Sequence, residues 1–372
     1  MKKSFFLLLV LLLPEWTFPG FAIAQQNNVP FTSDEWNFGD AEYTIETYKG
    51  KESLLLKKGF ILLKDLDFLN GTIKVDVNFP EQRAFHDIAF RIQDQSNYES
   101  FYIRPHQSGN PDANQYTPVF NGLAGWQLYY GERYAVPINY EFDEWHTLKI
   151  VVSGTQAQIY FDDMEKPVLH IEELKRGLQS GSIGLSTNLK SIHFANFSYS
   201  LDEPTLLPDE VELPMIEENV VKNWQVSNVF PFASLGETAS LDEDLVKQLS
   251  WNEYPVESEG FINLAKYSKK TETENTVITA LDIYSETDQT KFIYFGFSDV
   301  VRVYLNNTAV FEGQNVFTSR DYRYLGTIGL FDGVYLPLKK GKNTLMFAIM
   351  ENFGGWGLTA KFQNMDGISL TQ

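Results

Sequence analysis

Short stretches of alternating apolar and polar residues constrain the fold of this chain more than any other feature. In residues 72–79 one side of an extended strand carries Ile73, Val75, Val77 and Phe79, and the other carries Lys74, Asp76 and Asn78. The same two-residue period recurs in residues 88–92, 148–152, 159–161, 277–284 and 292–297. This period is typical of β-strands that have one buried face.

Turn residues separate these stretches, as at Asn70-Gly71, Ser153-Gly154 and Asp162-Asp163. Helical periodicity is confined to short pieces around residues 171–178 and 241–249. Regular short strands with few helices predict an all-β protein of two tandem antiparallel β-sandwiches, or jelly rolls.

The N-terminal residues have the pattern of a signal peptide. Lys2-Lys3 forms a basic start, residues 5–13 are apolar, and Ala22-Ile23-Ala24 fits a cleavage site. The apolar run is shorter than the roughly 20 residues that span a bilayer. We therefore expect residues 1–24 to be a signal peptide and the protein to be periplasmic or secreted, without membrane insertion.

Residues 201–218 are rich in proline and acidic residues and have no periodicity, which is typical of a boundary between domains. The sequence therefore predicts one domain over residues 25–200, a linker over 201–218 and a second domain over 219–372. A chain of 372 residues is long enough for two such cores.

Charge and cysteine content exclude several classes of function. The absence of cysteine excludes disulfides, thiolate metal sites and a cysteine nucleophile. A formal charge of −19 disfavours nucleic acid and anionic lipid as partners. Neutral polymers remain suitable ligands.

Residues 98–134 interleave aromatic rings with amides and charges. This mixture predicts a ligand site, because flat apolar surfaces and planar polar groups together hold sugars. The candidate ligand-binding residues are Arg104, His106, Asn110, Asp112, Gln115, Tyr116, Asn121, Trp126, Tyr129 and Tyr130. The alternative is that the rings pack against a long loop and the polar groups satisfy its backbone.

No metal or cofactor is expected. Asn110, Asp112 and Asn114 have the odd-position spacing of a calcium loop, but Gln115 stands where such a loop needs glycine. The five histidines form no zinc-binding motif.

Catalytic residues are not identified by the sequence. A glycosidase needs two carboxylates across the scissile bond, roughly 5–9.5 Å apart. Asp87, Glu99, Asp112 and Glu132 are scattered candidates without a paired motif. In the second half, residues 320–324 and 352–356 are a candidate rim site, or else an ion-paired turn and a buried tryptophan.

Two resemblances to known families refine these expectations. The succession WHTLKIVV at 145–152, AQIYFD at 157–162, GSIGL at 181–185 and FANF at 194–197 resembles the concanavalin A-like jelly roll. The likeness spans residues 35–200 and is to its laminin-G-like branch and to bacterial domains likened to 3-keto-disaccharide hydrolases. It implies two curved sheets that take ligands on the concave face or its rim loops.

The second resemblance rests on VRVYLNN at 301–307 and LKKGKNTL at 338–345. These strings are similar to the galactose-binding-like β-sandwich modules of bacterial glycan-processing enzymes, over residues 219–365. Asn306-Asn307 stands where Asn-Gly is commoner.

Together these features predict an exported carbohydrate-binding protein that holds neutral oligosaccharides or polysaccharides through the aromatic and amide residues of its first domain. The alternative is a glycan-processing hydrolase, of glycosidase or keto-sugar type, with the second domain as a targeting module. The laminin-G resemblance also leaves a protein partner open.

Overall fold

The structure is a computed structural model that describes residues 26–202, 213–237, 239–320 and 325–370. The predicted signal peptide and residues 203–212 of the predicted linker lie outside the described residues. None of the helices in the described ranges is long and apolar enough to cross a membrane.

The first half of the chain forms a sandwich of antiparallel strands, as its alternation predicts. Its strands are β1 (Asn27–Asn28), β2 (Trp36–Asn37), β3 (Glu42–Tyr48), β4 (Lys51–Leu63), β5 (Gly71–Asn78), β6 (Phe85–Asp94), β7 (Asn97–Ile103), β8 (Asn114–Phe120), β9 (Leu123–Ala124), β10 (His146–Ser153), β11 (Gln156–Phe161), β12 (Leu169–Ile171), β13 (Ser182–Asn188) and β14 (Ile192–Ser200).

The long strand β4 belongs to both layers of this sandwich. Its first half pairs with β14 in the order β12-β11-β10-β5-β14-β4, and its second half pairs with β13 in the order β4-β13-β6-β7-β8-β9. The change of partner occurs at Gly59, which has a φ of +108° and lies so close to Ala41 that a Cβ would be 2.9 Å from its Cα. Only glycine adopts this backbone conformation readily.

The predicted apolar face of β5 is confirmed, because Ile73, Val75 and Val77 are buried in the core. The opposite face of β5 is covered at Asp76, which is buried. Its carboxylate accepts hydrogen bonds from Lys51, Thr147 and Asn196 at 2.7, 2.7 and 2.6 Å, and these partners cover it.

The second half of the chain forms another antiparallel sandwich and one short helix. Its elements are β15 (Asn223–Ser227), α1 (Glu243–Gln248), β16 (Trp251–Pro255), β17 (Phe261–Asn263), β18 (Thr276–Ser285), β19 (Gln289–Phe297), β20 (Val300–Leu305), β21 (Thr308–Gln314), β22 (Asp332–Leu338), β23 (Gly341–Met350), β24 (Gly357–Phe362) and β25 (Ile368–Leu370). One sheet has the order β16-β15-β18-β23-β20-β21, with β25 on β18, and the other β17-β24-β19-β22. The sequence β20-turn-β21 passes through Asn306 and Asn307, both with positive φ.

The two predicted helical pieces have different outcomes. Helix α1 is confirmed, and Asp242 caps it by accepting a hydrogen bond from the Asp244 amide at 2.8 Å. Residues 171–178 contain no helix. The amides of Leu174, Lys175 and Arg176 instead donate to Thr155 O, Tyr116 Oη and Glu99 Oε1, so they are not available for helical hydrogen bonds.

The two sandwiches are in direct contact. Phe261 and Ile328 of the second sandwich pack in the apolar core of the first, and Phe120 and Leu123 of the first pack against the core of the second. Two backbone hydrogen bonds join the halves at Gln127, whose amide donates to Gly354 O at 3.0 Å and whose carbonyl accepts from the Ile328 amide at 2.9 Å.

A buried ionic cluster completes this contact. The Lys175 ammonium lies 2.6 Å from Glu173, 2.9 Å from Glu259 and 3.6 Å from Glu257. The two latter carboxylates belong to the second sandwich, and Lys266 and Arg133 also pair with them. We call Lys175, Glu173, Glu257 and Glu259 the interface cluster.

Candidate functional site: a cavity between the two sandwiches

A cavity of about 400 Å³ lies where one sheet of the first sandwich meets loops of the second. Its floor comes from alternate residues of β6, β7 and β8 and from both residues of β9. The second sandwich contributes Phe317, Leu325, Asn352, Phe353 and Gly354. This volume is within the range of small-ligand sites.

Strand register places the floor residues side by side. Asp87 of β6 is opposite Tyr102 of β7, and Ser100 of β7 is opposite Thr117 of β8. Successive side chains of a strand point to opposite faces, so these polar residues face the cavity while their neighbours Ile88 and Phe101 are buried in the core.

Arg104 is held rigidly at one end of the cavity. It is only 7% exposed, and it donates to Asp112 Oδ2 at 3.2 Å and to Gln115 Oε1 at 2.6 Å. Gln115 also accepts a hydrogen bond from Tyr102 at 2.7 Å and donates to Trp126 O at 2.9 Å. The guanidinium is therefore fixed in place before any ligand binds.

Three buried polar atoms of the cavity wall have no hydrogen-bond partner among the described residues. They are Arg104 Nε, His106 Nδ1 and Thr117 Oγ1. Buried polar groups are normally paired, so three in one cavity wall indicate a place for a polar ligand.

Two titratable side chains of the cavity have shifted pKa values. Burial raises the pKa of Asp87, although its carboxylate accepts hydrogen bonds from Ser100 and Ser186, each at 2.9 Å. Burial and the neighbouring charges of Arg83 and Arg104 lower the pKa of His106. Both shifts favour the uncharged form of the group.

Aromatic rings from both sandwiches form one wall of the cavity. The centroid of the Trp126 ring lies 5.8 Å from that of Phe353 and 6.2 Å from that of Phe317. Phe353 is 58% exposed, which leaves ring surface free for a ligand. Tyr98 and Tyr102 contribute further rings from β7.

Four of the ten predicted ligand residues line this cavity, namely Arg104, His106, Asp112 and Trp126. Gln115 lies behind them and positions Arg104 through the hydrogen bond given above. The cavity thus brings together charged, aromatic and hydrogen-bonding members of the predicted set.

Tyr116 and Tyr129 have no face open to a ligand, and their assignment as ligand contacts is corrected. Tyr116 is 1% exposed and donates to Glu99 in the core at 2.7 Å. Tyr129 is 0% exposed and donates to Glu257 of the second sandwich at 2.7 Å. The local sequence does not distinguish an aromatic residue that contacts a ligand from one that is buried in the protein, whereas the fold does.

The remaining three predicted residues lie outside the cavity wall. Asn121 donates to Ala265 O at 2.9 Å, and Tyr130 donates to Ile328 O at 2.6 Å, so both join the two sandwiches. Asn110 is exposed and donates to Gln107 at 2.7 Å. The three side chains with calcium-loop spacing do not surround a common point, because Asn114 is turned to the core and donates to Val136 O at 2.8 Å.

The four candidate acids divide in the same way. Asp87 and Asp112 line the cavity, whereas Glu99 is buried in the core and Glu132 is exposed outside the cavity wall. Within the described residues no group of three or more His, Asp or Glu side chains could hold a metal ion.

The residues of the candidate rim site in the second half are divided between the cavity and the core. Asn352, Phe353 and Gly354 line the cavity, while Trp356 is fully buried in the core of its own sandwich. Arg320 pairs with Asp332, and residues 321–324 lie outside the described residues.

Five further residues line the cavity although the sequence does not predict them as ligand residues, namely Arg83, Tyr98, Ser100, Thr117 and Phe317. The long loop expected within residues 98–134 is interrupted by strand β8 at Asn114–Phe120. The alternation of Tyr98, Ser100 and Tyr102 was the available signal that the strand has a polar-aromatic outer face. Nothing in the sequence placed Phe317 beside Trp126.

Comparisons with known proteins give likenesses in structure only. No family model and no curated protein matches the chain. Among solved structures, the carbohydrate-binding module CBM66 from Bacillus subtilis is 18% identical, with a TM-score of 0.34, and the match covers 45% of this chain and 95% of that one. A β-glucanase from Bacillus licheniformis is 10% identical, with a TM-score of 0.33 and coverages of 49% and 100%.

A protein of unknown function with a galectin-like fold, also from Bacillus subtilis, is 12% identical. Its TM-score is 0.34, and the match covers 48% of this chain and 94% of that one. At such identities these likenesses assign no ligand to this chain.

Proposed function

We propose that this protein is an exported carbohydrate-binding protein whose glycan site is the cavity between the two sandwiches. The observation that carries the proposal is the joint lining of the cavity by free aromatic surface and by buried, unpartnered polar atoms. Sugars present an apolar C–H face and many hydroxyl groups, and this wall offers a partner to each.

The site differs from the one expected from sequence because both halves of the chain build it. Trp126 comes from the first sandwich and Phe353 from the second, and their ring centroids are 5.8 Å apart. The backbone hydrogen bonds at Gln127 hold the two rings in this relation. A site assembled in advance lowers the cost of ordering on binding.

Substitution of Trp126 by alanine should weaken glycan binding about tenfold, because it removes apolar contact area from the cavity wall. The measurement is calorimetric titration of purified residues 25–372 with a panel of oligosaccharides. Tyr335→Ala is the matched control, since Tyr335 is 68% exposed outside the cavity wall. Equal affinities of the wild type and Trp126→Ala would place the glycan elsewhere.

A glycan-processing hydrolase is the second candidate function. It is favoured by Asp87, a carboxyl group of raised pKa within the cavity, which suits a general acid. Chromatography of the same titration mixtures distinguishes the two functions. We expect retention of the glycan without new products, and the formation of new reducing ends or keto-sugars would instead establish the hydrolase.

A further inference from the structure

One end of the cavity is basic, although the chain as a whole is strongly acidic. The chain carries a formal charge of −19, yet Arg83 and Arg104 both line the cavity, with His106 beside them. At physiological ionic strength charges are screened beyond roughly 8 Å, so the groups at the cavity wall decide which ligand charge is accepted.

The carboxylates of the cavity neutralise only part of this end, because Asp112 pairs with Arg104 and not with Arg83. Asp112 is paired with Arg104 at 3.2 Å. Asp87 lies on the floor, where two serine hydroxyls bond it and burial favours its protonated form. Arg83 is exposed and lines the cavity, so its charge is accessible to a ligand.

Arg104 supplies the directional part of the site. The hydrogen bond to Gln115 fixes the plane of its guanidinium, and its Nε has no partner in the described ranges although the residue is 7% exposed. Nη1 and Nη2 of Arg104 already donate to Asp112 and Gln115, so the unpartnered Nε–H is the donor that this guanidinium offers to a carboxylate oxygen of a ligand. Thr117, 2% exposed, adds a second unpartnered buried group, Oγ1, in the same wall.

We propose that the cavity binds glycans that carry a carboxylate, with the acidic group held by Arg83 and Arg104 beside His106 and the sugar ring against the aromatic wall. This inference rests on the proposed function and names the ligand class of that same site. It replaces the neutral glycan expected from overall charge, because that expectation takes no account of where the basic residues lie.

The test compares acidic and neutral glycans of matched structure. Residues 25–372 are titrated with oligogalacturonides, glucuronate-bearing xylo-oligosaccharides and sialyllactose, and with the carboxyl-reduced form of the first two and lactose for the third. We expect at least one acidic member to bind about tenfold or more tightly than its neutral counterpart, since hydrogen bonds to charged groups are stronger than neutral ones.

Arg83→Gln removes a positive charge from the cavity wall and should reduce that affinity about tenfold, with a clearly smaller loss for the neutral glycans, which have no carboxylate for Arg83 to hold. Arg83 is exposed, so the variant is expected to fold. Lys247→Gln is the control, because it removes the same charge from helix α1, which contributes no residue to the cavity wall.

The outcomes separate the two proposals. Neutral glycans that bind as tightly as acidic ones, or an Arg83→Gln variant with unchanged affinity, would overturn the acidic-glycan inference and leave the glycan site intact. Failure of every glycan in both sets to bind would overturn the proposed function itself.

Discussion

Replacement of Lys175 by methionine should lower the free energy of unfolding by about 3–5 kcal/mol at pH 7. The ammonium side chain is 1% exposed and is the shared partner of Glu173, Glu257 and Glu259 in the interface cluster. Methionine fills a similar volume but leaves buried carboxylates without their main positive charge. The loss is measured by urea unfolding of the wild type and the variant.

The pH dependence of this loss follows from the pKa shifts in the cluster. Burial alone would raise the pKa of Glu259, but the charge of Lys175 and hydrogen bonds lower it overall. A lowered carboxylate pKa contributes stability above the unfolded value of 4.5, and this is lost as the pH falls through the folded pKa. Without Lys175 the Glu259 carboxylate takes up a proton more readily, so the deficit of Lys175→Met should be smaller at pH 4 than at pH 7.

The matched control is Lys361→Met, which breaks a surface pair with Glu217 of 2.6 Å. Exposed pairs contribute at most about 1 kcal/mol, so this variant should stay close to the wild type. A Lys175→Met variant as stable as Lys361→Met would contradict the role given to the interface cluster.

Stability should also fall steeply between about pH 6.5 and pH 3 because of His86. This residue is 0% exposed, and burial, followed by the charge of His106, lowers its pKa to about 3. Below pH 6.5 the unfolded chain binds a proton that the folded chain does not, which costs about 1.4 kcal/mol per pH unit. The contribution lost by pH 3 is on the order of 5 kcal/mol.

The tautomer of His86 follows from its neighbour. Thr187 donates its hydroxyl hydrogen to Lys190 O at 2.5 Å, so His86 Nδ1 is the donor in its 2.8 Å hydrogen bond to Thr187. His86 Nε2 then lacks a hydrogen, and it has no partner among the described residues. Protonation would create an unpaired buried charge at this atom.

His86→Asn keeps a donor near Nδ1 and removes the titration. The variant should be less stable than the wild type at pH 7, and its stability should decline less steeply between pH 6 and pH 4. Above pH 7 the two curves should run parallel, which serves as an internal control. Equal slopes below pH 6 would show that His86 does not set the acid sensitivity. The raised pKa of Glu99 affects both proteins alike and cancels in the comparison.

The sequence predicts the fold correctly wherever the local residue pattern agrees with the environment that each side chain meets in the folded protein. Ile73, Val75 and Val77 have a two-residue period, and one face of β5 is buried as that period predicts. The environment of Asp76 was not accessible, because its partners Lys51, Thr147 and Asn196 are distant in sequence. The helix predicted around residues 171–178 does not form, because amides in this segment bond to Thr155, Tyr116 and Glu99 rather than along a helix.

For the candidate site, the sequence predicts the types of residue but not their arrangement. Aromatic and amide residues near Trp126 indicated a contact surface, and Arg104, His106 and Asp112 do meet in the cavity. Tyr129 has the same local signal, but its partner Glu257 lies 128 positions away and makes it an interface residue. The contribution of Phe353 depends on how the two sandwiches meet, which no local pattern encodes.

The most direct test of the shared cavity is the affinity of Phe353→Ala for the glycan of the panel that binds the wild type most tightly. Phe353 belongs to the second sandwich and is 58% exposed, so its loss should leave the fold intact. If both sandwiches build the site, calorimetry should show binding weakened about fivefold to tenfold, comparable to Trp126→Ala. An affinity equal to that of the wild type, with Trp126→Ala still impaired, would confine the site to the first sandwich and contradict the shared cavity.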